Sequence, residues 1–181
     1  MITLETDRLI LRPFVDADRD AFAALNADAE VMRWFPAPLD ETTSNQMVDK
    51  CVENTARDGF SFSAVEVKGS GFVGMCGLSI PGYETHFTPC VEIGWRLART
   101  AWGRGYASEA ARAWLAYGFD VLKLDEIVSF TTVNNLSSAA VMERIGMTRD
   151  FDGDFMHPKI DQASPIAPHL LYRLGAKEFW S

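Results

Sequence analysis

Cysteine is scarce and without pattern: Cys51, Cys76 and Cys90 are the only three, an odd number with no metal-like spacing. Cys51 falls in a helical stretch and Cys76 in an apolar strand, so buried thiols are expected rather than a disulfide framework. His86, His157 and His169 are scattered, and nothing local supports a Cys–His nucleophile pair. Apolar runs long enough to cross a membrane are missing, as is a basic-then-apolar N-terminal signal. A cytoplasmic location is the expectation. Basic charge is short as well: 17 Lys and Arg against 25 Asp and Glu give a formal net charge of −8. That balance argues against nucleic acid as the main partner and mildly favours a cationic or amine substrate. No repeat or low-complexity tract divides the chain.

What remains is an ordinary globular sequence, 48% apolar and 23% charged, for which a single domain over residues 1–181 is expected. Its most informative stretch runs from Val91 to Leu122. Val91, Ile93, Trp95 and Leu97 alternate with Glu92, Gly94 and Arg96, the two-residue period of a strand. Ala107, Ala110, Ala111, Trp114, Leu115, Gly118, Phe119 and Leu122 then share one face of a helix. Between them Trp102, Gly103, Arg104, Gly105, Tyr106, Ala107 and Ser108 form a small-residue turn that opens the helix. The first N–H groups of a helix have no intrahelical acceptor, and its dipole adds roughly half a positive charge there. Glycines let an anion approach such a backbone, and Arg104 adds a cation, which together make a phosphate cradle. A plain strand-to-helix turn would use the same glycines. The run lacks the Lys-Ser/Thr ending of a P-loop and is too short for a dinucleotide fingerprint.

The rest of the chain supplies the frame. Residues 8–14 read as a strand that Pro13 confines or ends, and Asp16 can cap a short helix carrying Phe22 and Leu25. An aromatic, proline-rich loop, Arg33-Trp-Phe-Pro-Ala-Pro38, precedes a helix from about Glu41 to Arg57. Residues 60–67 and 71–80 read as paired strands across Lys68-Gly-Ser-Gly71. Asp125 to Val133 is a β-branched strand, and strand, helix and strand at this spacing imply a parallel crossover. Asn135 can cap a further helix that Gly146 stops. His169 to Leu174 alternates as a final strand.

Three runs carry a resemblance. Trp102-x-x-Gly105-x-Ala107 is similar to the acyl-CoA signature of the GNAT superfamily of N-acetyltransferases, with Trp at the Gln/Arg position, a form usual in its RimJ/RimL-like branch. Asn135-x-x-Ser138 followed by Glu143-Arg-Ile-Gly-Met147 is similar to the second signature of that superfamily. Thr6-Asp-Arg-Leu-Ile-Leu-Arg12 resembles the opening of RimJ/RimL-like chains, and the likeness covers essentially the whole sequence. It implies an α+β fold: a mixed, mostly antiparallel sheet of six to seven strands, about four helices, and a cofactor strand splayed from its neighbour.

The resemblance also implies a chemistry. Acetyl-CoA would be the cosubstrate, with no metal, and a primary amine would attack directly in a ternary complex. That amine could belong to a small molecule or to a protein N-terminus, and the enzyme could be a monomer or a homodimer. The pantetheine arm would pair with Ile93, Gly94, Trp95, Arg96 and Leu97, the pyrophosphate would rest on residues 103–108, and Asn135 and Ser138 would reach the pantetheine end. Trp34 and Phe35 would line the acceptor cleft, or simply pack their loop. Glu92 is the candidate base, against the reading of a solvated or ion-paired strand residue. Ser138 is the candidate for the leaving thiolate, against that of a first-turn hydroxyl. The base and acid positions of RimI-type enzymes are Phe130 and Met142 here, so those roles do not transfer. Without them, a CoA-binding domain that has lost its chemistry is the alternative.

Overall fold

In the computed structural model, which describes residues 2–180, the apolar patterns fold into one sheet with helices on both faces. In chain order the elements are β1 (Leu4–Glu5), β2 (Leu9–Arg12), α1 (Arg19–Ala27), α2 (Glu41–Asp58), β3 (Phe62–Val67) and β4 (Gly71–Ser79). They continue as β5 (Glu92–Leu97), α3 (Tyr106–Asp120), β6 (Glu126–Thr132), α4 (Leu136–Arg144), β7 (Thr148–Met156), β8 (Pro168–Gly175) and α5 (Ala176–Phe179). The sheet order is β1-β2-β3-β4-β5-β6-β8-β7. Every pairing is antiparallel except β5 with β6. The fold is the expected α+β arrangement, but with eight strands and five helices it is larger than the outline drawn from sequence.

Strand alternation divides the core. Ile93, Leu97 and Ile127 meet Trp114 and Leu115 of α3 on one face. Phe22 and Leu25 of α1 and Val48 and Cys51 of α2 cover Ala64 and Met75 on the other. Alternation along β6 sends Val128 and Phe130 to this second face, where Val128 packs with Phe87 and Leu171 and is flanked by Phe130 and Phe155. Cys51 and Cys76 are both buried thiols.

Two local expectations are corrected. Asp16 does not cap α1; the chain turns through a short 3-10 segment, and buried Asp18 takes the Val15 N–H at 2.9 Å and the Arg12 guanidinium at 2.7 Å. Exposed Asp16 pairs instead with Arg19 at 3.0 Å, and Asp18, the residue before α1, makes no side-chain cap to that helix either. Strand β7, absent from the sequence outline, lies at the sheet edge with mostly exposed side chains, so no apolar alternation marks it.

One feature of the sheet positions the site. Strand β5 pairs with β4 along its whole length, from Ser79 opposite Glu92 to Gly74 opposite Leu97. On its other side it meets β6 only where Glu92 faces Val128. Beyond that point the two parallel strands part.

Candidate active site

The gap between β5 and β6 is lined by backbone. In a strand, the N–H and C=O of one residue point to the same side and successive residues alternate. Val91 accepts from the Val128 N–H at 3.0 Å, Ile93 from the Ser129 hydroxyl at 2.8 Å, and Leu97 from the Trp102 indole at 2.8 Å. The odd-numbered residues therefore face the gap, and Gly94 and Arg96 turn their amides toward β4. Of the five residues expected to pair with a pantetheine arm, only Ile93, Trp95 and Leu97 face the place where it would lie. Trp95 is the one whose carbonyl no side chain among the described residues reaches. An extended amide-bearing chain fits that edge as a missing strand would.

At the far end of the gap the chain turns into α3. Gly103 and Gly105 have φ of +71° and +80°, left-handed values that other residues adopt at a cost. Gly105 is the N-cap of α3 and offers no side chain, so the leading N–H groups of the helix stay available. Residues 102–105 are exposed. In a chain of net charge −8, two arginines meet at this turn and a third lies near its Trp102. Arg104 belongs to it, and Arg8 donates to the Arg104 carbonyl at 3.0 Å. Arg33 lies 5.8 Å from the Trp102 ring centroid, whereas the Arg99 guanidinium turns to Asp28 at 3.8 Å. Arg8 also pairs with Glu109 in the first turn of α3, which offsets an anion that would otherwise repel a phosphate there. Arg8 further stacks on Tyr106 at 4.8 Å. Backbone donors, left-handed glycines and cations thus occur together, and a pyrophosphate fits them. Ser108 does not offer its side chain: it is buried and accepts from Arg144 of α4 at 3.1 Å.

Asn135 and Ser138 open α4. The Asn135 carbonyl oxygen caps the helix through the Ser138 N–H at 3.2 Å, and its amide donates to Thr131 at 2.9 Å and to the Ser138 hydroxyl at 3.1 Å. Asn135 is therefore occupied as a cap. The Ser138 oxygen accepts one bond, which leaves its own O–H free to donate.

Glu92 stands where β5 and β6 part, on the α1–α2 face of the sheet. It is half-buried, and among the described residues its side chain makes no hydrogen bond and no ion pair. Burial alone pushes its carboxyl up to about 7. Its electrostatic neighbours are Tyr83 and Cys90, both kept neutral by burial first and by Glu92 second. The reading of an ion-paired strand residue therefore fails, since no cation is beside it.

Around Glu92 the structure assembles residues that the sequence left apart. Tyr83 and Phe87 of the β4–β5 connection, Phe130 of β6, Phe155 of β7, and His157 and His169 at the two ends of the β7–β8 turn form one aromatic cluster. The Tyr83 and His157 rings lie 4.9 Å apart, and those of His157 and His169 5.0 Å. Phe130 is half-exposed within this cluster rather than sealed in a core. His157 is pushed down to about 4 by burial, then by His169 and Lys159, and burial lowers His169 as well. Both imidazoles are neutral near pH 7. His157 Nδ1 accepts the Lys159 N–H at 3.2 Å, whereas His169 Nδ1 faces the Ala167 carbonyl at 2.9 Å and must carry the proton. In the sequence His157 and His169 are only scattered histidines, and no local pattern shows that they meet.

Trp34 is half-buried and Phe35 is exposed, on the loop before α2. Phe35 lies over the Arg96 guanidinium, with Cζ 4.2 Å from the ring centroid. The loop therefore borders the same face as Glu92. No group of three or more His, Cys, Asp or Glu side chains among the described residues could hold a metal, and none of their helices is long and apolar enough to cross a membrane.

Comparison with known proteins agrees with this geometry. Residues 8–148 match the acetyltransferase (GNAT) domain family. YkkB of Bacillus subtilis, itself uncharacterised, is 36% identical over 146 residues, covering 80% of this chain and 84% of its own. The FsC-acetyl coenzyme A-N(2)-transacetylase of Aspergillus fumigatus is 34% identical over 155 residues, 81% of this chain and 65% of its own. A GNAT-family acetyltransferase structure from Bacillus anthracis superposes with a TM-score of 0.80 at 28% identity, covering 98% of this chain and all of that one. The chain belongs to the GNAT family and is an acetyl-CoA-dependent acetyltransferase.

Proposed function

We propose that the chain is a single-domain, cytoplasmic N-acetyltransferase of the RimJ/RimL-like branch that acetylates a primary amine in a ternary complex. The acceptor would be a small amine or a protein N-terminus, the enzyme a monomer or homodimer, and nucleic acid no partner. The observation that carries this reading is Glu92: a half-buried carboxylate without a partner, at the point where the cofactor strand leaves its neighbour.

Bound acetyl-CoA would supply a thioester carbonyl open to attack by an uncharged amine. The amides at the head of α3, with Arg104, hold the pyrophosphate, and the backbone of Trp95 aligns the arm that leads to the thioester. Glu92 takes the proton of the ammonium group. With its carboxyl near 7 it is both ionised in part at neutral pH and basic enough to accept. The amine nitrogen forms the new bond to the carbonyl carbon as the carbon–sulfur bond breaks, and the second proton this nitrogen sheds passes to the departing thiolate. Ser138 donates its hydroxyl to the departing sulfur. Trp34 and Phe35 wall the acceptor side.

Glu92→Gln is the direct test. It preserves shape and leaves the gap-facing backbone untouched, so CoA affinity should stay within about twofold while kcat falls ~10²–10⁴. Unchanged turnover would remove Glu92 from the mechanism.

A further inference from the structure

The most unusual charge in the molecule is four residues along the same face of β5. Arg96 is only 9% exposed, and no carboxylate accompanies it. Burial pushes its guanidinium down to about 10, and the one neighbouring titratable group is the Cys51 thiol, itself raised to about 11 by burial and so uncharged. Its surroundings are neutral. Nη1 donates to the Asn26 carbonyl oxygen at 2.6 Å, Asn26 in turn donates to Ser44 at 2.9 Å, and Met47 Sδ lies 4.0 Å away. Nε is sealed from solvent and has no acceptor, and Nη2 has none among the described residues. A buried cation with no counter-charge is costly, and a sealed donor with no acceptor adds to that cost. The indole N–H of Trp34, beside Phe35 in the chain, is a second buried donor left without an acceptor.

The free atoms form a recognisable shape. Phe35 stacks on the flat face of the guanidinium, a contact that uses its π-cloud and none of the N–H groups. Asn26 takes one corner. What remains is the Nε/Nη2 edge, two parallel donors in one plane, the fork that a carboxylate meets with both oxygens. A ligand reaches that edge only if Phe35, itself 39% exposed, and its loop move. Glu92 and Arg96 project to the same face, with Cα atoms about 13 Å apart along the strand.

We propose that Arg96 is the anion subsite of the acceptor cleft, and that the acceptor is an amine that also carries a carboxylate. The carboxylate binds the Nε/Nη2 edge beneath Phe35 while the amine lies at Glu92. This assignment rests on the reading of Glu92 as the amine end. The spacing of the two residues favours an acceptor whose amine and carboxylate are separated by several bonds over one in which they share a carbon.

Two measurements test it. In the first, acetyl-CoA turnover is followed with a ladder of ω-amino acids from glycine to 8-aminooctanoate, each against its methylamide. We expect kcat/KM to favour the carboxylate over the amide by roughly tenfold or more at the best length, and Arg96→Met to erase that preference, read as the ratio of acid to amide within each protein. Equal use of acid and amide by the native protein, or a preference that survives Arg96→Met, overturns the subsite. In the second, which needs no turnover, the Arg96 Nε–H resonance is assigned by its loss in Arg96→Lys and titrated in the CoA complex with butyrate and with butyramide. A saturable shift with butyrate alone supports the subsite. A linear response, or the same shift with both, overturns it. Saturable butyrate binding together with no transfer to any amine would keep the anion subsite and instead remove the amine-acetyltransferase reading.

Discussion

In the proposed site, the cradle at the head of α3 and the acceptor face around Glu92 are two halves built in opposite ways. The cradle is backbone: left-handed Gly103 and Gly105, an uncapped helix start, and arginines at its rim. It is exposed and almost contiguous in sequence. The acceptor face is side chains gathered from β5, β6, the loops on either side of them, and the β7–β8 turn, and its titrating groups are moved far from their ordinary values. A phosphate site needs only donors at fixed spacing, which a few dihedral angles deliver. Proton transfer and acceptor choice need particular groups in a drier setting, which only the assembled fold delivers.

The comparison can be broken at either half. Gly105→Asp should do most damage. Its new Cβ meets nothing nearer than Arg8 Nη2 at 3.5 Å, so the fold tolerates it at a cost of ~1–2 kcal/mol for the left-handed φ. The carboxylate, however, sits among donors meant for phosphate, and CoA affinity should fall ~100-fold or more by calorimetry. Retained affinity in a folded mutant would dissolve the cradle.

Next in size is Phe130→Ala. The ring touches Tyr83, Phe87, Phe155, His157 and His169 but is half-exposed, so the loss should be about 2 kcal/mol, below the ~3–5 kcal/mol of a fully buried Phe. CoA affinity should not change. A drop in CoA affinity equal to that of a cradle mutant would mean that the two halves are not separable.

Smallest is Ser138→Ala. The Asn135 cap keeps its bond to the residue 138 N–H, so stability should move by less than about 1 kcal/mol. Loss of one donor to the departing sulfur should lower kcat by ~10-fold with KM for acetyl-CoA unchanged. An unchanged kcat would return Ser138 to being a first-turn hydroxyl.

Legibility in the sequence follows the same division. β5, α3, β6 and α4 lie within a residue or so of where period and caps put them, because each has a strong apolar stripe and a local stop signal. β7 carried no such stripe. It is an edge strand held in part by Arg173 on Asp150 at 2.7 Å, a pairing across the hairpin that no local pattern encodes. His157 and His169 meet only because that hairpin closes, with the His157 N–H on the Ala167 carbonyl at 2.9 Å. Arg96 was visible as a strand residue, yet only alternation against β4 shows that its backbone is spoken for and its side chain lies under Phe35. Asp18 is likewise held by a partner that no local pattern gives, Arg12 of β2.

The central claim is that burial tunes Glu92 to accept a proton near neutrality. The pH dependence of kcat/KM, measured from about pH 5 to 9 on the native protein and on Glu92→Gln, tests it most directly. Burial favours the protonated form, so the native acid limb should rise as pH passes about 7, not near the ordinary carboxylate range. In Glu92→Gln that limb should vanish, leaving a low and flat profile below pH 8. The same limb persisting in Glu92→Gln would contradict the assignment, because a group other than Glu92 would then be titrating.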